Sequence, residues 1–396
     1  MFHFICKALI HHRAIDSKTT HVRFLQTIPC LNSISNTSTT TDPKSLTVSY
    51  LVNSCGLSSE TALSASKMVA IESTERPDKV LELLRTFGFT KTHIIRLISK
   101  HPPLILVNPE KILRPKIEFF ESLGITGPDL PKILCSNKQI LLSSLKNQII
   151  PTFDFLRGFV KTNENLICAL KQSTRVVRCN IQKVMEPNIL TLRAHGVPER
   201  NIARLIVLQP QSLMLRIDLF KEVASSIREM GFEPMSRSFI LAIRSMSMIS
   251  KTKWEKKKKL FLDCGWSEDE FFLAFKVQPL CMLCSEKKIR ELMEFFVNKV
   301  GLKPSDAAKC PNLFLTSLER RLIPRCSVLQ VLISKGLIKK DVNIVWVLNS
   351  TKEKFENKFV KPYKEDAPEV IKAYQSKIGF QGFNVHWKIG TKKKEA

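Results

Sequence analysis

Apolar residues recur along most of the chain at the three- and four-residue spacing of an amphipathic helix. Leu113, Ile117 and Phe120 follow one another at intervals of four and three residues, which places them on one helix face. The apolar stretch Phe271–Phe275 follows the segment Ser267–Glu270, a serine with a glutamate three residues later. That pair is typical of a capping box, in which each side chain satisfies a free N–H at a helix start. No alternating pattern of comparable strength predicts a strand, so we expect an all-α protein.

Glycines recur along the chain with a nearly constant period. Their separations are 36, 72, 35, 34, 36 and 35 residues, and the gap of 72 spans two periods, with the segment 159–160 near the missing position. Each glycine follows an apolar helical pattern and precedes an apolar residue, which is typical of the left-handed residue that ends a helix. These glycines are Gly88, Gly124, Gly196, Gly231, Gly265, Gly301 and Gly336.

Prolines keep the same period at two positions within each unit. Pro102, Pro210 and Pro279 lie 14 residues after a glycine, Pro115 and Pro151 lie 27 after one, and Pro187 follows Pro151 by 36. Because proline disfavours helix in the preceding residue, the first set predicts a break between two helices. Pro115 predicts either a kink in the second helix or the start of that helix after one short turn. Two helices per unit, with faces that only a neighbouring unit can cover, predict an α-solenoid.

The charge of the chain indicates its class of partner. Lys and Arg number 62 against 36 Asp and Glu, a net charge of +26 with a pI near 9.7. Such an excess attracts polyanions, so nucleic acid or an anionic surface is expected. The 11 cysteines are odd in number and lie in apolar stretches, which favours a reducing compartment over a disulfide framework. The sequence contains no run of 18 apolar residues, so insertion into a membrane is not expected.

The first 43 residues differ from the rest. They hold four basic and two acidic residues and a stretch of Ser, Thr and Asn at 32–41, the composition of an organelle transit peptide. We therefore expect a disordered transit peptide at 1–43, a repeat array at 44–350, and a C-terminal helical cap with a basic tail at 351–396. The mitochondrion is the expected destination and the chloroplast is the alternative.

Several segments resemble one known family closely enough to name it. The segments 123–156, 195–218 and 265–282 are similar to the repeat of the mTERF family, the mitochondrial transcription termination factors, and 50–67 and 309–341 resemble its land-plant branch. The resemblance covers roughly residues 45–375. It implies about seven to eight repeats, each of two α-helices and a short 3₁₀ turn, in a curved right-handed superhelix with a basic groove for nucleic acid. It also implies roles in organelle transcription, transcript processing or intron splicing.

A basic residue recurs where the second helix of each unit is expected to begin. We call these seven positions the basic row; they are Lys111, Lys146, Lys183, Arg216, Lys251, Lys287 and Arg320. A cation there opposes the helix macrodipole, so a role in binding phosphate is expected, against the alternative of solvated charges. Arg321 and Arg325 are further candidates, with Arg175 and Arg178 beside them, whereas the run 256–259 is expected to be solvated.

Other chemistry is weakly supported. Cys281 and Cys284 form a lone CxxC without the further ligands of a zinc site, and no nucleophile, P-loop or dinucleotide motif occurs. We therefore expect no catalytic residue, metal or cofactor. The expected function is regulation of organelle transcription by a monomer on double-stranded DNA. The alternatives are an organelle RNA binder in splicing or processing, and a solenoid that binds an acidic protein.

Overall fold

The computed structural model describes residues 43–136, 139–339 and 341–383. Within those ranges every regular element is helical, as expected. The chain divides into two compact units, one ending at Asp218 and the other beginning at Leu219. The predicted transit peptide, up to residue 42, and the end of the predicted basic tail, from 384, lie outside the described residues.

The N-terminal unit begins with three helices and continues with helix pairs. Its helices are α1 (Pro43–Asn53), α2 (Ser59–Ala65), α3 (Glu75–Thr86), α4 (Lys91–Lys100), α5 (Arg114–Ser122), α6 (Asp129–Ser136), α7 (Gln139–Leu142), α8 (Ile150–Arg157), α9 (Asn163–Gln172), α10 (Glu186–Ala194) and α11 (Glu199–Leu208). The boundary between the two units falls inside α12 (Ile217–Glu229).

The C-terminal unit continues the same alternation and closes with three short helices. Its helices are α13 (Arg237–Met248), α14 (Lys251–Asp263), α15 (Glu268–Val277), α16 (Glu286–Glu294), α17 (Pro304–Ala308), α18 (Ile323–Ser334), α19 (Ile344–Asn349), α20 (Lys352–Phe359) and α21 (Glu369–Tyr374). We number seven repeats. Their first helices are α4, α6, α9, α11, α13, α15 and α17, and their second helices are α5, α8, α10, α12, α14, α16 and α18. The pair α19 and α20 follows the same order.

The seven periodic glycines end helices, as predicted; Gly88 follows α3 and the other six follow second helices. Each has a positive φ, from 68° at Gly336 to 92° at Gly265, and lies just past the last helical turn. Gly265 is also crowded, since a Cβ there would lie 3.1 Å from the side chain of Pro304. A side chain at Gly265 would therefore be strained twice, by its backbone angle and by contact with the first helix of repeat 7.

The two sets of prolines mark two kinds of turn: the first set begins one kind, and the second set follows the other. In four repeats a proline begins or precedes a five-residue 3₁₀ turn between the helices: Pro102–Leu106, Pro210–Met214, Pro279–Leu283 and Pro311–Leu315. Repeat 3 has the turn without the proline, at Thr174–Arg178, whereas repeat 2 has the short helix α7 there and repeat 5 passes from α13 to α14 through two residues. Repeat 5 has no proline between its helices, so nothing in its sequence forces the break.

The second set of prolines lies at the start of a second helix and follows one wide turn. A π-helical turn precedes each proline-containing second helix, at Pro109–Leu113, Leu145–Ile149, Ile181–Met185 and Leu318–Leu322. The second helices α12, α14 and α16 contain no proline and begin without such a turn. The cause is local, because proline lacks an N–H and its ring clashes with the carbonyl four residues earlier, so the preceding turn widens.

Aromatic side chains form much of the core in both units. Phe120 and Phe153 are buried and meet edge-on at 5.9 Å between consecutive second helices of the N-terminal unit. In the C-terminal unit Phe261, Trp266 and Phe314 form one buried cluster with ring centroids 4.4–5.6 Å apart. Such contacts between different repeats provide the burial that a solenoid requires.

Candidate nucleic-acid interface

The candidate interface lies at the starts of the second helices, and these starts share one capping arrangement. A Ser, Thr or Asn side chain accepts the backbone N–H three residues later, at the position called N3. The capping residues are Asn108, Ser144, Asn180, Ser250, Ser285, Ser317 and, in the closing pair, Thr351. The bonds measure 2.9–3.4 Å, so each helix start is held in a defined conformation.

The N3 position of these second helices is basic in six of the seven capped cases within the described ranges. Its occupants are Lys111, Asn147, Lys183, Lys253, Lys288, Arg320 and Lys354. A cation in the first turn opposes the helix macrodipole by about 0.3–1 kcal/mol, and an acid at N3 would instead complete a capping box. Local helix stability therefore does not account for these cations.

The basic side chains at N3 are open to solvent. Those of Lys111, Lys183, Lys253, Arg320 and Lys354 are exposed, and that of Lys288 is half-buried. In the part of the chain that the structure describes, none of the six forms an ion pair. Their charges are therefore not neutralised by carboxylates in the described part of the chain.

Successive second-helix starts are neighbours within each unit. In the N-terminal unit the turn Thr174–Arg178 packs against Leu145–Ile149 on one side and Pro210–Met214 on the other. In the C-terminal unit the turn Pro279–Leu283 packs against Pro311–Leu315. Because α10, α12, α16 and α18 begin just after these turns, the starts of α8, α10 and α12 are neighbours, and so are the starts of α16 and α18. At such neighbouring starts, N–H groups and cations can meet successive phosphates.

The members of the basic row occupy slightly different places at these starts. Lys111, Lys183 and Arg320 are at N3, Lys146 and Lys287 are one residue earlier, and Lys251 is the first residue of α14. Arg216 lies just before α12 and pairs with Asp218 at 3.4 Å. Lys287 pairs with Glu291 at 3.7 Å. Both cationic side chains are 85% exposed, so these pairs are screened and leave the cations accessible.

Two arginines that were candidates have other partners. Arg325 is 2% exposed and its guanidinium donates to the carbonyls of Val347, Leu348 and Ser350 at 2.7–3.0 Å, so it is not available for phosphate. Arg321 is half-buried and donates to Asn349 and Ser350 carbonyls at 3.0 and 2.6 Å. Arg175 and Arg178 are exposed on a 3₁₀ turn.

The lysine run at 256–259 is not uniformly solvated, contrary to expectation. Lys256 and Lys259 are exposed, but Lys257 is 9% exposed and donates to two backbone carbonyls. Lys258 pairs with Glu268 and lies 5.2 Å from the ring centre of Phe272. Helical spacing explains the difference, since one residue in four of such a run faces the core.

Three basic residues at N3 were missed from the sequence, namely Lys253, Lys288 and Lys354. Lys354 follows Arg320 by 34 residues, so the repeat period would have found it. Lys253 and Lys288 have basic neighbours, Lys251 and Lys287, that match the period equally well. Only the capping bonds distinguish the two alignments.

Both cysteines of the CxxC lie in the core. Cys281 and Cys284 are buried, and burial raises the pKa of both thiols, that of Cys281 to about 12. Among the described residues no group of three or more His, Cys, Asp or Glu side chains could hold a metal ion. No helix in the described ranges is both long and apolar enough to cross a membrane.

The fold and these helix starts define a class, a helical-repeat protein with cations at the starts of its second helices. The model of the mTERF family matches residues 81–245 and 242–356. The match covers more than half of the chain, so this chain belongs to the mTERF family.

Two relatives come from Arabidopsis thaliana. The chain is 24% identical over 327 residues to the mitochondrial transcription termination factor MTERF15, covering 79% of this chain and 63% of that protein. It is 25% identical over 192 residues to the chloroplastic transcription termination factor MTERF8, covering 48% of this chain and 37% of that protein. The chain thus spans less than two thirds of either relative.

Proposed function

We propose that this protein binds nucleic acid through phosphate contacts at the starts of its second helices, and that it thereby regulates the expression of organelle genes. The observation that carries the proposal is the basic N3 position. Six exposed or half-exposed cations lie at N3, where their charge opposes the dipole of their own helix. None of the six has a carboxylate partner in the described ranges. A bound phosphate would gain both from the cation and from the free N–H groups of the helix start.

Double-stranded DNA is the ligand that we propose, with regulation or termination of transcription as the outcome and a single copy of the chain as the binding form. The names of both relatives support this choice, because both are transcription termination factors. Structured RNA presents similar phosphates, so the experiment has to compare the two directly.

An organelle is the proposed location, with the mitochondrion first. The support is the basic, hydroxyl-rich composition of residues 1–43, together with relatives named mitochondrial and chloroplastic. Imaging the chain with a C-terminal fluorescent tag tests the location. Exclusion of the tag from both organelles would overturn it.

The binding test is a salt series with duplex DNA, duplex RNA and single-stranded RNA. We expect a slope of log affinity against log salt of about −4 to −6 on the preferred duplex. Changing Lys111, Lys183 and Lys253 together to Glu should reduce the size of that slope by about three. The same changes should not unfold the protein, because a glutamate at N3 completes a capping box.

A matched control carries the same change in charge elsewhere. Lys67, Lys132 and Lys372 are exposed and lie away from the second-helix starts, so their change to Glu should alter the slope by less than about one. An equal loss in both triple variants would mean that net charge alone drives binding. A flat slope for the unmodified protein would overturn the proposal, and preference for RNA would replace transcription by splicing or processing.

A further inference from the structure

Five side chains, four in second helices and one in the π turn before α8, turn inward and donate to backbone carbonyls of the following repeat or closing pair. We call them the brace residues. Lys116 donates to Leu141 at 2.5 Å, Gln148 to Val177 and Cys179 at 3.2 Å, Asn188 to Leu213 and Leu215 at 3.0 and 2.8 Å, Lys257 to Met282 and Cys284, and Arg325 to Val347, Leu348 and Ser350 at 2.7–3.0 Å. Each brace stays within one of the two units.

The accepted carbonyls lie just before the next second helix. Cys179 immediately precedes the capping residue Asn180, and Cys284 immediately precedes the capping residue Ser285. Leu215 immediately precedes Arg216 of the basic row. The brace residues therefore hold the backbone at the point where the proposed phosphate contacts begin.

Three of the brace residues are buried cations. Lys116, Lys257 and Arg325 are 6%, 9% and 2% exposed, and burial lowers the pKa of each, that of Arg325 to about 10. No carboxylate in the described ranges lies within ion-pair distance of them. Burying a cation is unfavourable, and an apolar side chain of similar size would fill the same place.

The chain itself shows that apolar side chains are accepted there. Lys116, Asn188 and Lys257 each lie eight residues before the glycine that ends their helix, and the same position holds Val223 and Met293 in repeats 4 and 6. Repeat 5, which follows Val223, has no 3₁₀ turn to hold. Met293 cannot donate a hydrogen bond to the repeat that follows it. There the Phe314 carbonyl accepts a hydrogen bond from the thiol of Cys284, at 3.2 Å.

We propose that the brace residues are positioning residues for nucleic-acid binding. Each one fixes the start of the next second helix, so that its N–H groups and its first-turn cation face phosphate in one arrangement. This inference rests on the proposed function and adds to it the buried residues that set the geometry. Without the brace a helix start would still form, but it would sample several positions and bind phosphate less well.

A double-mutant cycle on Lys257 and Lys288 tests the proposal in the full chain. Lys257→Met places at this position the residue that the chain has at Met293. Lys288→Glu alone should weaken duplex binding roughly fivefold at moderate salt, and Lys257→Met alone by a similar factor. After Lys257→Met, we expect Lys288→Glu to weaken binding by less than about twofold, because an unfixed helix start has little contact to lose. Lys257→Arg retains a donor and should restore binding.

Hydrogen exchange provides a readout that does not require a ligand. In Lys257→Met, exchange should accelerate at the first amides of α16, after Ser285, while the amides of α19 and α20 remain protected. If the double variant loses affinity by the product of the two single losses, the substitutions act independently, and the positioning role is overturned. Unchanged exchange in α16 would overturn the brace itself.

A failure of the proposed function would give results that differ from a failure of the positioning role. In that case the unmodified protein shows no salt-dependent binding, yet exchange in α16 still reports on the brace. Asn188→Leu repeats the test with an uncharged brace in the N-terminal unit, paired with Arg216→Glu. If Lys257→Met does not fold, the double-mutant cycle of Asn188→Leu and Arg216→Glu tests the proposal. A loss of affinity in that double variant equal to the product of the two single losses would overturn the proposal.

Discussion

The helices α14 and α15 are consecutive in the chain and begin in the same way, but they differ in charge. Ser250 caps α14 and Ser267 caps α15, and each accepts the N–H of its N3 residue, at 3.4 and 3.1 Å. That residue is Lys253 in α14, whereas in α15 it is Glu270, whose carboxylate returns the bond to the Ser267 N–H at 2.8 Å. The first-helix start is thus optimised for helix stability, and the second-helix start is not.

The other repeats support this contrast. First helices α4, α9, α13 and α15 carry His93, Asn165, Phe239 and Glu270 at N3, so none of these four is Lys or Arg. A preference for cations in the second helices alone is not a general effect of a basic chain. It agrees with the proposal that the second-helix starts contact an anion, whereas the first-helix starts serve packing alone.

The largest effect is expected where a predicted surface arginine is in fact buried. Arg325→Met removes a donor to four backbone carbonyls, those of Val347, Leu348, Ser350 and Thr351. The Val347, Ser350 and Thr351 carbonyls keep another donor, and an unsatisfied buried carbonyl costs about 1–3 kcal/mol. We expect the free energy of unfolding to fall by about 2 kcal/mol, measured by denaturant titration. Arg320→Met, at the exposed start of the same helical segment, should change it by less than about 0.5 kcal/mol. Equal losses in the two variants would mean that the division between exposed and buried cations is wrong.

Reversing the charge of a first-helix start should reduce stability without affecting binding. Glu270→Lys breaks the capping box of α15 and places a cation at the positive end of the helix, at an expected cost of about 1 kcal/mol. Asp269→Lys, in the same turn but outside the capping box, should cost less. Thermal unfolding measures both. Stronger duplex binding by Glu270→Lys would show that any helix start can bind phosphate, and the contrast would then be lost.

The reverse change in a second helix should have the opposite sign on stability. Lys183→Glu puts an acid at N3 beside the capping residue Asn180, so the protein should gain about 0.3–1 kcal/mol and lose affinity for duplex DNA. Gln182→Glu, one residue earlier, should stabilise the same turn but leave the lysine in place. The comparison of their salt slopes isolates the contact of Lys183. Loss of both stability and binding in Lys183→Glu would indicate a structural role instead.

The smallest expected effect is a gain at the one uncharged N3 position of the capped second helices. Asn147 is exposed and capped by Ser144 at 3.1 Å. Asn147→Lys should steepen the salt slope by about one. Asn165 occupies N3 of the first helix α9 and is also exposed, so Asn165→Lys is the matched control and should have no such effect. A gain in the control equal to that of Asn147→Lys would reduce the contrast to net charge.

Local features of the fold were predictable because each has a local cause. The left-handed glycines, the capping box at Ser267 and the end of α15 before Gln278 follow from short-range sterics and hydrogen bonding. These features require only the neighbours of a residue in the chain.

The interface was only partly predictable. The period of the sequence located the second-helix starts, but it could not distinguish Lys251 from Lys253, because only the capping bond defines N3. Arg325 and Lys257 look like surface residues in the sequence. Their partners lie 22 to 27 residues further along the chain, so their burial depends on how one repeat packs against the next.

The π-helical turns have a consequence for how such an array can change in length. A π turn holds one residue more than an α turn. The two pairs of glycines that are 36 residues apart enclose one such turn each, the second of them at Phe295–Val300, and the gap of 72 encloses two. The gaps of 35 and 34 that end at Gly231 and Gly265 enclose none. The gap of 35 that ends at Gly336 also encloses one, but its first helix α17 has only 5 residues. A one-residue insertion or deletion is thus absorbed as a bulge inside the helix, and the apolar face beyond it keeps its direction. The array can therefore tolerate such changes repeat by repeat, without losing the stacking on which the next repeat depends.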